Sequence, residues 1–225
     1  MIIVTSGMLK AFEECPQKYN LIYNEQLEIP SNTEFSDIGK EIHALINYKL
    51  KGFDITKQLR TLNSPENKEL YHLWQNFVDF KTDKVEKSEF TFTIPFSEKI
   101  KLTGRVDAIR KCENNYEILD WKTGSSQNIN PEKDMQTVMY LYCIYNLLRC
   151  QGLAADTVNL LLTYVFLKEK KTVTVPFSPE KYNLYEKILS EKTNKILNSN
   201  FERNPKASCE KCSFKFICNQ AYKPN

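Results

Sequence analysis

The 225-residue chain has no long uninterrupted hydrophobic segment, no internal repeat and no low-complexity tract. Its most apolar stretch, Val138–Leu148, is far shorter than the ~20 residues of a membrane-spanning helix and contains an asparagine. The apolar run after Met1 ends at Thr5 and lacks a cationic start, so it does not resemble a signal peptide. We therefore expect a cytoplasmic protein with no membrane partner.

The chain also lacks a G-x-x-x-x-G-K phosphate-binding loop, which excludes a built-in ATP motor of that type. Its formal net charge is only +3, so contacts with nucleic acid would have to come from local patches such as Lys168–Lys171 or Lys81–Lys87. In the cytoplasm the seven cysteines are not expected to form disulfides, and they require another explanation.

The most informative residues lie on a predicted β-hairpin that carries Asp107, Asp120 and Lys122. If its two-residue turn begins at Glu113, Asp107 lies opposite Asp120, and if the turn begins at Asn114, Asp107 lies opposite Lys122. Either register gathers the three polar groups on one face of the sheet, because side chains alternate with a period of two. A slip of one residue would separate them.

Two carboxylates and a lysine on one face suit the hydrolysis of a phosphodiester. A hard cation such as Mg²⁺ or Mn²⁺ prefers carboxylate oxygens, polarises the phosphoryl oxygen and lowers the pKa of a bound water. Lys122 can position or deprotonate the attacking water and neutralise developing charge. The alternative for an isolated D-x-K pattern is a surface hairpin with alternating charges, and three further motifs weigh against it.

Two of these motifs lie on predicted helices. His43 follows Gly39 by one helical turn, and a glycine inside a helix indicates that something approaches the backbone closely there. Gln136 and Tyr140 share one face of the helix after the hairpin. Taken singly, His43 is a core-edge histidine and the other pair is a helix surface with a half-buried tyrosine.

The third motif is a set of cysteines. Cys209-x-x-Cys212 followed by Cys218 has the spacing of a metal site, and Cys15, 194 residues upstream, is the candidate fourth ligand. Spacing alone leaves zinc and an iron–sulfur cluster open. The remaining cysteines have no such spacing and are expected to be plain reduced thiols, namely Cys112, Cys143 and Cys150.

Hydrophobic periodicity predicts an α/β fold, a mixed central sheet flanked by helices. The predicted helices are Ser6–Cys15, Glu34–Lys51, Pro65–Lys81, Pro131–Arg149 and Pro179–Asn198, and the predicted strands are Lys87–Pro95, Lys99–Arg110, Tyr116–Lys122, Thr157–Leu167 and Lys171–Pro176.

In chain order, Gly39-x-x-x-His43, Gly104-x-x-Asp107, Asp120-Trp121-Lys122-x-Gly124 and Gln136-x-x-x-Tyr140 resemble the motifs of RecB-like nucleases in the PD-(D/E)XK superfamily. This resemblance implies a restriction-endonuclease-like fold and a metal-dependent deoxyribonuclease. It also implies roles for particular residues: metal ligation by His43, Asp107, Asp120 and the main-chain carbonyl of Trp121, catalysis by Lys122, and support of the site and DNA contact by Gln136 and Tyr140. Some relatives place another acid at the position of Glu89.

The cysteine pattern, with Ser6-x-x-Leu9-x-x-Phe12-x-x-Cys15-Pro16-x-x-Tyr19 at one end of the chain, resembles the iron–sulfur staple of RecB-like CRISPR-associated exonucleases and AddB-type nucleases. The resemblance implies a 4Fe–4S cluster that ties the two ends together. The chain is then one nuclease domain over residues 1–225, with an N-terminal helix (1–20), a core (21–200) and a C-terminal cysteine-rich iron–sulfur segment (201–225).

The resemblance further implies exonuclease action on single-stranded DNA ends, in CRISPR adaptation or DNA repair, with a helicase or CRISPR adaptation proteins as partners. The alternative is a non-catalytic iron–sulfur DNA-binding subunit of a repair or CRISPR complex. A weaker alternative is a zinc-stapled nucleic-acid binder. Degenerate relatives commonly lose an acidic or lysine position, and all of these are present here, which favours the enzyme.

Overall fold

The computed structural model describes residues 1–28, 33–62, 64, 67–80, 82–113, 115–152 and 159–221. The helices of this part of the chain are α1 (Ser6–Glu14), α2 (Pro16–Tyr19), α3 (Thr33–Leu50), α4 (Thr56–Leu62), α5 (Lys68–Val78), α6 (Met135–Cys150), α7 (Pro179–Leu197) and α8 (Lys215–Ala221). The strands are β1 (Ile2–Val4), β2 (Val85–Pro95), β3 (Ile100–Cys112), β4 (Asn115–Lys122), β5 (Asn159–Phe166) and β6 (Lys171–Pro176).

The six strands form one mixed sheet. The path runs β1-β3-β4-β5-β6, with β2 paired to the opposite edge of β3. β1 with β3 and β4 with β5 are parallel pairs, and the other three pairs are antiparallel. β1 and β4 share one edge of β3 but pair with different parts of it, residues 100–102 and 108–112. On this edge the stretch 103–107 of β3 has no strand partner among the described residues, although its other edge pairs with β2, and this stretch positions the candidate site.

Helices cover both faces of the sheet. On β4, Ile118 packs into a first core with α1, α6 and α7, whereas Leu119 packs into a second core with α3, α4 and α5. Trp121, only 2% exposed, belongs to the second core, where Phe77 meets its ring edge-on at 5.4 Å. Alternate side chains of β4 therefore pack into the two cores on opposite faces of the sheet. The mixed sheet with flanking helices confirms the predicted α/β architecture.

The predicted hairpin is confirmed as β3–β4. Arg110 pairs with Glu117 and Cys112 with Asn115, so the two-residue turn begins at residue 113. This is the register that places Asp107 across from Asp120. Residue 114, on which the alternative turn would begin, lies outside the described residues.

The regular alternation expected along the first hairpin strand does not hold throughout. Val106 packs in the first core, Ala108 in the second, and Ile109 in the first again. An undistorted strand would keep residues 106 and 108 on one face, so β3 changes phase at Asp107. On β2, Glu89 lies opposite Asp107 and has a φ of +48°, a conformation that costs a non-glycine residue of order 1–3 kcal/mol.

Other boundaries differ from the predicted ones. β1 and α4 were not predicted, since three or seven residues show too little periodicity. α6 begins at Met135 rather than at Pro131, because the side chain of Asp134 caps it by accepting a hydrogen bond from Gln136 N at 2.7 Å. The predicted starts at residues 65 and 157 and the predicted end at Lys81 lie outside the described residues. Among the described helices, none combines the length and apolarity needed to cross a membrane.

Candidate active site

A cavity of about 510 Å³ opens where β3 and β4 diverge. The residues that line it come from α3, β3, β4, α6 and the start of α1. They include all seven residues that the sequence placed in a catalytic or metal-binding site, of which Trp121 was expected to contribute its main-chain carbonyl: His43, Asp107, Asp120, Trp121, Lys122, Gln136 and Tyr140. The predicted residues therefore share one pocket, although α3 and α6 cover opposite faces of the sheet.

His43 on α3 reaches the sheet through both ring nitrogens. Nδ1 lies 3.2 Å from Asp107 Oδ1, and Nε2 lies 3.0 Å from the carbonyl oxygen of Trp121. Burial lowers the pKa of His43, but the hydrogen bond with Asp107 and the negative charges of Asp107, Asp120 and Glu89 together raise the pKa overall. Two oxygen acceptors facing the two nitrogens favour the doubly protonated ring, so a cation bound here would displace a proton.

Where the backbones of β3 and β4 stop pairing, the side chain of Asp107 takes the place of a backbone acceptor. Its Oδ2 accepts a hydrogen bond from the backbone N of Trp121 at 2.7 Å. This bond fixes the separation of the diverging strands and leaves Oδ1 beside His43.

Asp120, Lys122 and Gln136 form a closed network. Lys122 Nζ lies 2.6 Å from Asp120 Oδ2 and donates to Gln136 Oε1 at 2.9 Å. Gln136 Nε2 donates to Asp120 Oδ1 at 2.8 Å and to the Tyr140 hydroxyl at 3.0 Å. The Lys122 amine also lies 5.1 Å from the ring centre of Tyr164. These contacts hold the lysine head group in place inside the pocket.

The carboxyl of Asp120 is 2% exposed, and its electrostatic state is unusual. Burial, followed by the negative charge of Asp107, raises its pKa from 3.8 to about 6, against the lowering effect of Lys122. Oδ2 is close to the Lys122 amine but accepts no directed hydrogen bond. A buried carboxylate oxygen with spare acceptor capacity is a suitable donor to a cation.

Glu89 extends the candidate ligand set. Ligand atoms of His43, Glu89 and Asp107 all lie within 4.8 Å of one another. Arg105 Nε holds the other side of Glu89, 2.8 Å from Oε2, and burial raises the pKa of the Glu89 carboxyl. One imidazole and two carboxylates match the preference of Mg²⁺ or Mn²⁺ for hard donors, so these residues fit a divalent cation. Glu89 lines the groove that adjoins the pocket, and alternation along β2 could not predict its left-handed backbone.

Small and polar residues behind the site hold it in shape. A Cβ atom on Gly104 would lie 2.6 Å from Cζ of Phe92 and 3.1 Å from the Tyr140 ring, so only glycine lets that ring reach the carbonyl of Arg105. Asp134 caps α6 and pairs with Lys10 of α1 at 2.9 Å, which fixes the helix turn that carries Gln136. Sequence analysis did not identify these supporting residues.

The four predicted cysteine ligands converge elsewhere. Cys15, Cys209, Cys212 and Cys218 line one cavity of about 410 Å³. Asn204 bridges the chain ends there, with its side chain donating to the carbonyl of Glu14 at 3.0 Å.

The chemistry of the four residues bears on the type of metal site. Within the described residues, no three cysteine sulfurs lie within 4.8 Å of one another. Thiolates are ligands of both zinc and iron–sulfur clusters, so this donor set fits either group. Cys143 lies apart in the first core, where burial raises the pKa of its thiol.

The raised pKa of Asp120 gives a pH prediction. Without metal, the folded state favours the protonated carboxyl, so this group contributes stability below pH ~3.8 that is lost as the pH rises through about 6. A divalent cation competes with protons on Asp120 and His43. We expect Mn²⁺ to raise the melting temperature at pH 7.5 and to have little effect at pH 5. At a concentration 100 times its Kd, Mn²⁺ should raise the free energy of unfolding at pH 7.5 by ~2.7 kcal/mol.

Thermal unfolding with Mn²⁺ at both pH values measures this difference, with Asp120→Asn as the control that should lose most of it. An equal stabilisation of the wild type at both pH values would show that these groups do not bind the cation.

The sequence and the fold were compared with those of known proteins. The family model described as the PD-(D/E)XK nuclease superfamily matches residues 4–219. No curated protein matches the sequence. Among solved structures, one similar chain is a protein from Eubacterium rectale described as a candidate exonuclease. It has 9% identity and a TM-score of 0.57, with 98% of this chain and 88% of that chain covered. A second, SSO0001, has 15% identity and a TM-score of 0.47, with 97% and 86% covered.

Proposed function

The chain belongs to the PD-(D/E)XK nuclease superfamily, and we propose that it is a RecB-like, metal-dependent exonuclease that degrades single-stranded DNA from free ends. The observation that carries this proposal is the meeting of His43, Asp107, Asp120 and Lys122 in one pocket. The side chain of Arg105, which also lines the pocket, is 66% exposed and gives an extended polyanion a basic group at the surface. Its pathway would be DNA repair or CRISPR adaptation, with a helicase or CRISPR adaptation protein as partner.

The donor atoms facing the pocket would hold Mg²⁺ or Mn²⁺. They are His43, Asp107, Asp120 and the carbonyl of Trp121. Glu89, in the adjoining groove, is a further acid with a ligand atom within 4.8 Å of those of His43 and Asp107. When bound, such a cation polarises the phosphoryl oxygen and lowers the pKa of a bound water.

Among the remaining groups, Lys122 would act on water and substrate, and Gln136 and Tyr140 would hold it in position. The Lys122 amine, held by Asp120 and Gln136, positions the attacking water and neutralises charge that develops on the phosphoryl oxygens. Gln136 uses both ends of its amide within the network, so it keeps the lysine and the carboxylate at a constant separation. Tyr140 anchors the amide to the carbonyl of Arg105 through its hydroxyl.

For the cysteine cavity we propose a 4Fe–4S cluster ligated by Cys15, Cys209, Cys212 and Cys218. The convergence of these four thiols in one cavity, together with the resemblance of their pattern to the iron–sulfur staple, supports this assignment. Arg203 lies beside the thiols, with its guanidinium 3.0 Å from Cys209 Sγ, and would offset the negative charge of the ligands. The role would be structural, because the cluster would join α1 to the C-terminal segment.

Digestion of linear and circular single-stranded DNA with Mg²⁺ or Mn²⁺ tests the proposed activity. We expect the wild type to shorten linear strands and spare circles, and Lys122→Ala to lower the rate by about 10²–10³-fold. Lys181→Ala is the matched control. Its side chain is 25% exposed against 22% for Lys122 and pairs with Glu132 on the surface.

The outcomes separate the candidate functions. Equal cleavage of linear and circular DNA would show that the enzyme is an endonuclease. Full activity of the Lys122→Ala variant would contradict the proposed catalytic role of Lys122. DNA binding without any cleavage by the wild type would favour the second candidate, a non-catalytic iron–sulfur DNA-binding subunit.

A further inference from the structure

A second groove, of about 570 Å³, adjoins the catalytic pocket and shares His43 and Arg105 with it. One wall is α3, where Gly39, His43 and Asn47 follow one another at intervals of one helical turn. The opposite side is formed by Glu89 and Arg105 from the sheet. The groove thus includes the candidate metal ligands His43 and Glu89 and runs along α3.

The end of α3 carries an unusual pair of aromatic side chains. Tyr48 and Phe53 are 45% and 60% exposed, and their rings meet edge-on with centroids 6.0 Å apart. Tyr48 lies one turn beyond Ala44, which lines the groove, so the pair continues the line of the groove. Neither ring belongs to either core. Two large rings left in water next to a substrate groove indicate a binding surface.

Two lysines lie along the same side of α3 as the groove and the aromatic pair. Lys40 lines the groove, has a side chain 75% exposed and pairs only loosely with Asp37 at 3.2 Å. Lys51 follows Asn47 by one turn and is close enough to Glu89 to influence its charge. A polyanion lying in the groove would meet a lysine at each end.

Resting on the proposed nuclease function, we propose that Tyr48 and Phe53 form a base-stacking platform for single-stranded DNA, with Lys40 and Lys51 binding the phosphates that lead to the pocket. Aromatic rings interleaved with cations are the usual means of holding single strands without sequence preference.

The dimensions agree with this assignment. His43 and Tyr48 are five residues apart, or ~7.5 Å along the helix axis. This is about the length of two stacked nucleotides at ~3.4 Å each. The platform would therefore hold a base about two nucleotides from the scissile phosphate. Bases inside a duplex have no free face to offer, so the platform selects an unpaired end.

Binding to two oligomers tests the platform. One is an oligothymidylate about 12 nucleotides long, and the other is an abasic strand of the same length. Fluorescence anisotropy in the presence of a chelator reports Kd without cleavage. We expect Tyr48→Ala and Phe53→Ala each to weaken oligothymidylate binding about tenfold and to leave abasic-strand binding unchanged. Tyr48→Phe should bind as the wild type does, because the stacking face is kept.

Two controls separate base contacts from other effects. Lys40→Ala should weaken the binding of both oligomers equally. It should also reduce the slope of log Kd against the logarithm of the salt concentration by about one. Phe216→Ala removes an aromatic side chain that is 72% exposed on α8 and lines neither groove, and it should change nothing. Melting temperatures check that each variant is folded.

Unchanged oligothymidylate binding by both alanine variants would overturn the platform, and so would an equal loss for the two oligomers. Failure of the nuclease proposal is recognised separately, because it appears as absence of cleavage by the wild type and not as a change in Kd between variants.

Discussion

Replacing Asp120 by asparagine should reduce DNA cleavage by roughly 10³-fold or more, equivalent to about 4 kcal/mol of transition-state stabilisation. The substitution keeps the size and most hydrogen bonds of the side chain, so Gln136 retains a partner at this position. It removes the buried charge that would draw a divalent cation and that holds the Lys122 amine 2.6 Å away. DNA binding should stay near wild type, since the proposed phosphate-binding residues Lys40 and Lys51 do not line this pocket.

Rates of digestion of end-labelled single-stranded DNA and Kd values from anisotropy measure the two effects separately. Glu117→Gln is the matched control, because it neutralises an acid on the same strand that pairs with Arg110 outside the pocket. Cleavage by Asp120→Asn at the wild-type rate would locate the active site elsewhere.

Replacing Cys15 by alanine should remove the visible absorbance and iron of anaerobically purified protein and destabilise the fold by on the order of 4 kcal/mol. Within the described residues, the C-terminal segment also contacts the N-terminal helices, where the side chain of Asn204 donates to the carbonyl of Glu14. Phe201 stacks on Tyr19 with a centroid distance of 5.7 Å, and Phe214 is buried. Loss of one ligand from the proposed cluster would leave these contacts to hold the two ends together.

Cys150→Ser is the control, since this exposed thiol lies outside the cysteine cavity and should leave absorbance, iron content and melting temperature unchanged. A Cys15→Ala protein that keeps its full chromophore would contradict the proposed staple. A colourless wild type with stoichiometric zinc would replace iron by zinc at the same four residues, because a zinc–thiolate site does not absorb visible light.

Much of the site could be predicted because its strongest signals are local. The hairpin follows from alternating residues on each side of a polar break, and the pairing of Arg110 with Glu117 matches one of the two registers considered. His43, Gln136 and Tyr140 were predicted only through family resemblance, since each by itself has a structural explanation. Their meeting point at the divergence of β3 and β4 depends on how two helices pack against opposite faces of the sheet.

Other features could not have been predicted. Glu89 was a weak candidate, because nothing in the composition of β2 indicates a left-handed residue within the strand or a change of phase in its neighbour. Asp134, Lys10 and Arg105 support the site through contacts between elements far apart in sequence. Tyr48 and Phe53 indicate a binding surface only because they lie next to the groove, since an isolated exposed aromatic residue is common.

The sequence by itself determined the elements that carry chemistry, because side-chain periodicity, motif spacing and ligand type are properties of short segments. Tertiary structure decided which donor atoms face one another, including the 3.2 Å contact of His43 with Asp107 and the gathering of cysteines from both ends of the chain. The physical reason is that these distances depend on long-range packing and on a few backbone angles, which no local pattern encodes.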